Sequence, residues 1–107
     1  MEFTNVEDLV QVFVNEYSFP NSINLMYGNF KSKNCISIDN TPNDNVDIVV
    51  GNELPFEDHS FDLILSFKNE VFNFKRILKP NGKLLLKGVI IDALEYYTLN
   101  GETFSVI

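Results

Sequence analysis

LPFEDHSFDLILSF, residues 54–67, decides how this chain is read. A stiff Leu-Pro-Phe leads into an acidic turn, and the turn delivers Phe61-Asp62 to an apolar run. Leu63-Ile64-Leu65 shows no polar alternation, the pattern of a strand buried on both faces of a parallel sheet. A parallel neighbour requires a crossover, and the next residues supply one. Phe67, Val71, Phe74 and Leu78 fall on one stripe, which predicts a helix over 69–78. Pro80-Asn81-Gly82 stops it. KLLLKGVI, 83–90, then reads as a second apolar strand, reached by a right-handed crossover.

Three further strands are expected upstream, at SINLMYG (22–28), NCISIDN (34–40) and VDIVVG (46–51). Thr4 and Glu7 have capping-box spacing. Val6, Leu9, Val10, Phe13 and Tyr17 follow at helical spacing, predicting a helix over 5–17 that Ser18-Phe19-Pro20 ends. The segment 90–107 admits two readings. Ile90, Ile91, Leu94 and Tyr97 fit a short helix before a strand at 103–107, the reading preferred; Asn100-Gly101 between YYTL and ETFSVI fits a two-residue hairpin. The expected class is α/β, a minimal, helix-depleted, mostly parallel sheet in a single domain spanning 1–107.

With 107 residues, 45% hydrophobic content and ten Phe, the chain can bury one core without staples. Its single cysteine, Cys35, allows no intrachain disulfide. It reads as a small buried hydrophobe in a reducing, cytoplasmic setting. No apolar run approaches the ~18 residues of a membrane span, and the polar, acidic start MEFTNVEDL is unlike a signal peptide, so no membrane association is expected. The net charge of −7 disfavours nucleic acid. Six of the eight basic residues nevertheless lie between Lys68 and Lys87. They are read first as a solvated face and second as a contact surface for an acidic partner. No nucleophile–base pair, carboxylate pair or metal-ligand spacing stands out, and His59, the lone histidine, sits in a polar turn. No catalytic or metal-binding residue is therefore expected.

These motifs resemble the second half of a class I S-adenosylmethionine-dependent methyltransferase. That family commonly has Gly-Asp near its third strand, then Leu-Pro-Phe, then Ser-Phe-Asp opening the fourth, and an Arg-x-Leu-Lys-Pro-Gly-Gly turn into the fifth. This chain has Gly51-Asn52, Leu54-Pro55-Phe56, Ser60-Phe61-Asp62 and Arg76-Ile77-Leu78-Lys79-Pro80-Asn81-Gly82. The resemblance implies a Rossmann-like fold. It places Asp39 where the family keeps a ribose-binding carboxylate, and it implies that Gly28, Asp39 and Asn52 would line the crevice if S-adenosylmethionine binds.

The cofactor half departs from the family. There a Gly-x-Gly-x-Gly loop lets the backbone approach the ligand. Here INLMYGNFKSKNC, 23–35, has one glycine and no carboxylate, while Tyr27 and Phe30 bring bulk where an open path is needed. The connections after Gly28 and after Asn40 are too short for crossover helices. The expectation is a degenerate, non-catalytic methyltransferase-like domain without a cofactor, acting as a protein-interaction or assembly module through a protein partner or a second copy. The alternative is a methyltransferase with a pared-down S-adenosylmethionine site. Poor helical cover should leave Val49 as an exposed apolar contact, with Ser37 and Asp47 giving their strands polar outward positions.

A narrower resemblance is to the amino-terminal domain of the anamorsin family of cytosolic iron–sulfur assembly proteins. It rests on the Ser-Phe-Asp strand, the Arg-x-Leu-x-Pro turn, Lys87 after the fifth strand, and Leu99-Asn100-Gly101 near the end. The chain departs by beginning with a helix where that family begins with a strand, and by lacking that family's second crossover helix.

Overall fold

The computed structural model describes residues 1–69 and 72–107. In chain order the elements are β1 (Glu2–Phe3), α1 (Val6–Tyr17), β2 (Asn24–Tyr27), β3 (Ile36–Asp39), β4 (Ile48–Val49), β5 (Phe61–Ser66), α2 (Phe74–Ile77), β6 (Leu78–Lys87), β7 (Glu95–Leu99) and β8 (Glu102–Val106). The strands form one sheet in the order β1-β7-β8-β6-β5-β2-β3-β4. Every pairing is parallel except the two made by β8.

The apolar runs that define β2 and β5 lie at the centre, buried at every position. Alternation splits their side chains between two layers. Met26, Leu63, Leu65 and Leu85 meet Leu9, Val10, Phe13 and Val14 of α1 on the first face. Leu25, Tyr27, Ile64 and Leu84 form the second core with Val50, Leu54, Phe61, Phe74 and Ile77. Phe61, Ile64 and Leu85 are thus deep in adjacent parallel strands. Among the described residues the second face carries only one helical turn and the 50–56 connection.

The helix over 5–17 is present, but its cap is Asn5, whose Oδ1 accepts the Asp8 N–H at 3.2 Å. Asparagine caps as well as threonine, and Glu7 and Asp8 favour the positive end of the helix dipole. The far end of α1 is tied to the sheet. The Tyr17 and Tyr97 hydroxyls donate to the same Glu95 oxygen at 2.6 and 2.7 Å.

Several expectations are corrected. The helix over 69–78 is the single turn Phe74–Ile77, and Val71 of the expected stripe lies outside the described residues. The Arg76 and Ile77 carbonyls accept the His59 and Ser60 N–H groups at 3.0 and 2.8 Å, which draws Leu78 into the ladder opposite Phe61. A bulge follows, so Phe61 faces the second core while Leu63 faces the first. β6 then ends at Lys87 instead of continuing to 90, and the Gly88 N–H donates to Thr103.

The carboxyl-terminal segment is a hairpin, not a helix. Asn100 and Gly101 have φ of 48° and 84°, the left-handed pair that a tight two-residue turn demands. Period-two alternation buries Tyr97, Leu99, Phe104 and Val106 together. The supposed helical face is split, with Tyr97 1% exposed but Ile91 85% and Leu94 62%.

Ser37 is fully buried and does not face outward. Its Oγ donates to the Phe30 carbonyl at 2.6 Å, and its N–H donates to Asp47 Oδ2 at 2.8 Å, so the two polar residues satisfy each other's strand. Among the described residues no helix is long and apolar enough to cross a membrane.

Candidate functional site

In an open α/β sheet, ligands gather outside the carboxyl ends of the strands, where successive connections diverge. Here that place lies between β2 and β5, whose chains continue to β3 on one side and β6 on the other. Three strand ends converge there: Tyr27-Gly28 after β2, Asp39-Asn40 after β3 and Phe67-Lys68 after β5.

The chain's own side chains fill the place. Gly28 has φ of 148°, and a Cβ on it would stand 3.3 Å from both the Phe30 ring and Phe67 Cβ. Those two rings meet edge to face at 5.4 Å. The lone glycine therefore admits an aromatic plug. Tyr27 donates its hydroxyl to Asn40 Oδ1, and Phe72 meets its ring edge-on at 5.1 Å.

Lys68 closes the arrangement. Its Nζ lies 5.5 Å from the Tyr27 ring centroid and donates to Asp39 Oδ1 at 2.6 Å. β5 and β3 are two strand spacings apart, about 10 Å, so the lysine stem crosses over the end of β2 to reach its partner. Asp39 is 3% exposed. Burial pushes its carboxyl up, but the Lys68 ammonium and the Asn40 and Thr41 N–H groups outweigh burial and hold it below the ordinary carboxylate range. The turn role expected of Asp39 is present in the Asn40 N–H at 2.6 Å. The strap from Lys68 is what sequence reasoning missed. Its only sign was a lysine directly after an apolar strand, with an aspartate ending a strand elsewhere.

Asn52 lies apart from this group. It is exposed and lines a cleft of about 630 Å³ with Leu54, Phe56, Asn73 and Arg76. The Arg76 guanidinium organises the cleft's rim. Nη1 donates to the Phe56 carbonyl and to Asp58 Oδ1, both at 2.8 Å, and Nη2 donates to the Leu54 carbonyl at 2.9 Å. Leu54-Pro55-Phe56 and the arginine of the later motif are thus one constellation. Ser60-Phe61-Asp62 joins it to the far turn: buried Asp62 accepts the Ile23 N–H at 2.7 Å and Lys79 Nζ at 3.3 Å. A Cβ at Gly82 would meet the Asp62 carbonyl at 2.7 Å, so the glycine permits that approach.

His59 is exposed at the turn, with φ of 55°. Cys35 packs against the first core, and burial, with a smaller contribution from Glu7, pushes its thiol up to about 12, far from reactive. Among the described residues no three His, Cys, Asp or Glu side chains are grouped to hold a metal ion. In comparisons with known proteins, no family model, curated protein or solved structure matches the chain.

Proposed function

We propose that the chain is a methyltransferase-like domain whose cofactor crevice is closed by its own side chains, and that it acts as a protein-interaction module without catalysis. The lineage is supported by strand order. Counted from Asn24, the sheet reads 3-2-1-4-5-7-6. This is the doubly wound order 3-2-1-4-5-6 with antiparallel β8 inserted.

The observation that carries the closed-crevice reading is the Lys68–Asp39 pair laid across Tyr27. A ribose hydroxyl seeking Asp39 Oδ1 competes with the lysine already bound there. Charge-assisted hydrogen bonds are worth ~1.5–3 kcal/mol, and water at the 39% exposed Lys68 places this one toward the low end. The Phe30–Phe67 plug obstructs the approach beside Gly28. β1 pairs with β7 ahead of α1, so the chain begins with a strand. That removes one departure from the anamorsin-like pattern.

The test is calorimetric titration of the whole chain with S-adenosylmethionine and its demethylated product. No saturable heat is expected up to ~100 μM. A Kd tighter than that, about −5.5 kcal/mol, and weakened by Asp39→Ala, would overturn the proposal in favour of a methyltransferase with a pared-down site.

A further inference from the structure

The chain contains two Asn-Gly pairs, Asn81-Gly82 and Asn100-Gly101. In such a pair the glycine nitrogen can attack the asparagine carboxamide, because no side chain on the glycine shields it. The fold treats the two pairs differently. Asn100 and Gly101 are both exposed at the end of the β7–β8 hairpin. A Cβ on Gly101 would meet no atom within 4 Å. Among the described residues, neither the Asn100 carboxamide nor the Gly101 N–H has a hydrogen-bond partner. Gly82 is instead pressed into β6. A Cβ there would stand 2.6 Å from Leu78 Cδ1 and 2.7 Å from the Asp62 carbonyl oxygen, which leaves little room for a ring to close beside it. Asn21 precedes another small residue, Ser22, but the Ser22 N–H already donates to the Phe19 carbonyl at 3.0 Å.

We propose that Asn100 is a self-modifying site, where the folded chain loses ammonia and converts to aspartyl and isoaspartyl forms, while the fold protects Asn81. The Gly101 nitrogen attacks Asn100 Cγ and an N–Cγ bond forms. The Cγ–Nδ2 bond breaks, and Nδ2 leaves as ammonia with the proton given up by Gly101. Water then opens the cyclic imide. Attack at Cγ breaks the new bond and gives aspartate. Attack at the main-chain carbonyl of Asn100 breaks the original peptide bond and leaves the chain running through Cγ, the isoaspartyl form. The left-handed φ of 48° at Asn100 makes a brief opening of the turn the gating step, and solvent-exposed ends open more readily than packed strands.

The two products act differently on the hairpin. Aspartate visits the left-handed conformation as asparagine does, so it adds a negative charge and keeps the turn. The isoaspartyl form adds one main-chain atom to a two-residue turn whose length fixes the register. That register pairs Thr98 with Thr103 and Tyr97 with Phe104. The longer turn also displaces the Asn100 N–H, which donates to the Phe3 carbonyl at 2.9 Å and helps hold β1.

The test incubates the whole chain at mildly alkaline pH, in buffer and in guanidinium chloride, and follows both sites by peptide mapping with mass spectrometry. In the folded chain, conversion is expected about tenfold faster at Asn100 than at Asn81. In denaturant the two rates should converge, since the bare pairs share one chemistry. Asn100→Asp should keep the amide spectrum of the parent. The isoaspartyl fraction, separated chromatographically, should show faster hydrogen exchange at Thr98, whose N–H donates to the Met1 carbonyl at 2.9 Å. Equal rates at the two sites in the folded chain, faster conversion at Asn81, or a folded chain that leaves Asn100 intact while the denatured chain converts would each overturn the proposal. Unchanged exchange at Thr98 in the isoaspartyl fraction would overturn its effect on β1.

Discussion

Arg76 reaches back 22 residues to hold the Leu54 carbonyl at 2.9 Å. With Phe56 and Asp58 as further acceptors, one planar fork fixes the turn that leads into β5. The Leu54 side chain is buried in the second core, and Phe56 packs edge to face on Phe61 at 5.0 Å. The guanidinium is therefore the polar half of an apolar lock.

Arg76→Ala should destabilise the fold by ~1–3 kcal/mol, because it leaves carbonyls in a partly buried turn without a donor. Arg76→Lys should recover only part of this, since an ammonium cannot fork across three acceptors. Urea unfolding of both variants reads the difference. Equal stability of lysine and arginine would reduce the interaction to simple charge.

Phe61→Ala removes a side chain 3% exposed at the bulge where β5 switches faces. The expected cost is ~3–5 kcal/mol, enough to unfold a domain at the weaker end of the usual ~5–15 kcal/mol. A folded variant with an unchanged melting temperature would contradict the burial described.

Acid should act through Asp39. Burial raises its carboxyl, and the Lys68 ammonium with the adjacent N–H groups more than reverses this, so its folded pKa lies below its unfolded value near ~3.9. A group depressed on folding stabilises the native state above the unfolded pKa, and the stabilisation is lost as pH falls through the folded pKa. The Asp39 side-chain carbon resonance should therefore titrate below ~3.9, and Lys68→Met should move the midpoint upward. An unmoved midpoint would separate Asp39 from Lys68.

Val49 is 51% exposed on β4, an edge strand that also exposes Ile48. Unpaired edges invite another chain. Sedimentation velocity should show association that grows with concentration and falls in Val49→Asp. A strict monomer at high micromolar concentration, unaffected by the substitution, would show that this edge is quiet.

What the sequence disclosed follows from how local each signal is. The runs LILS and NLMY announced buried strands because burial on both faces leaves its mark in consecutive residues. The turn at Asn100-Gly101 was equally local, but four apolar residues at helical spacing competed with it, and cross-strand packing of Tyr97 on Phe104 decided the outcome. The helix over 69–78 was over-read for a related reason. Leu78 satisfies the helical stripe, yet it pairs with Phe61, a partner that periodicity cannot reveal. The crevice was the least legible part. Lys68 and Asp39 are 29 residues apart and meet only because β2 lies between their strands.

The insertion of β8 between β6 and β7 constrains the order in which the molecule can be assembled during synthesis. Without β8 the strands of the sheet fall into two sets, β2 through β6 and β1 with β7, with no hydrogen-bonded strand joining them. Only when Glu102–Val106 emerges does the ladder close, with Phe104 and Val106 completing the first core. Until then β6 presents an apolar edge to whatever is nearby, the condition in which chains aggregate or recruit chaperones. Afterwards the remaining edges are β1 and β4, two residues each, far shorter than the ten-residue β6. The hairpin is thus a late-arriving keystone, and the domain is most vulnerable in the moments before its last strand clears the ribosome.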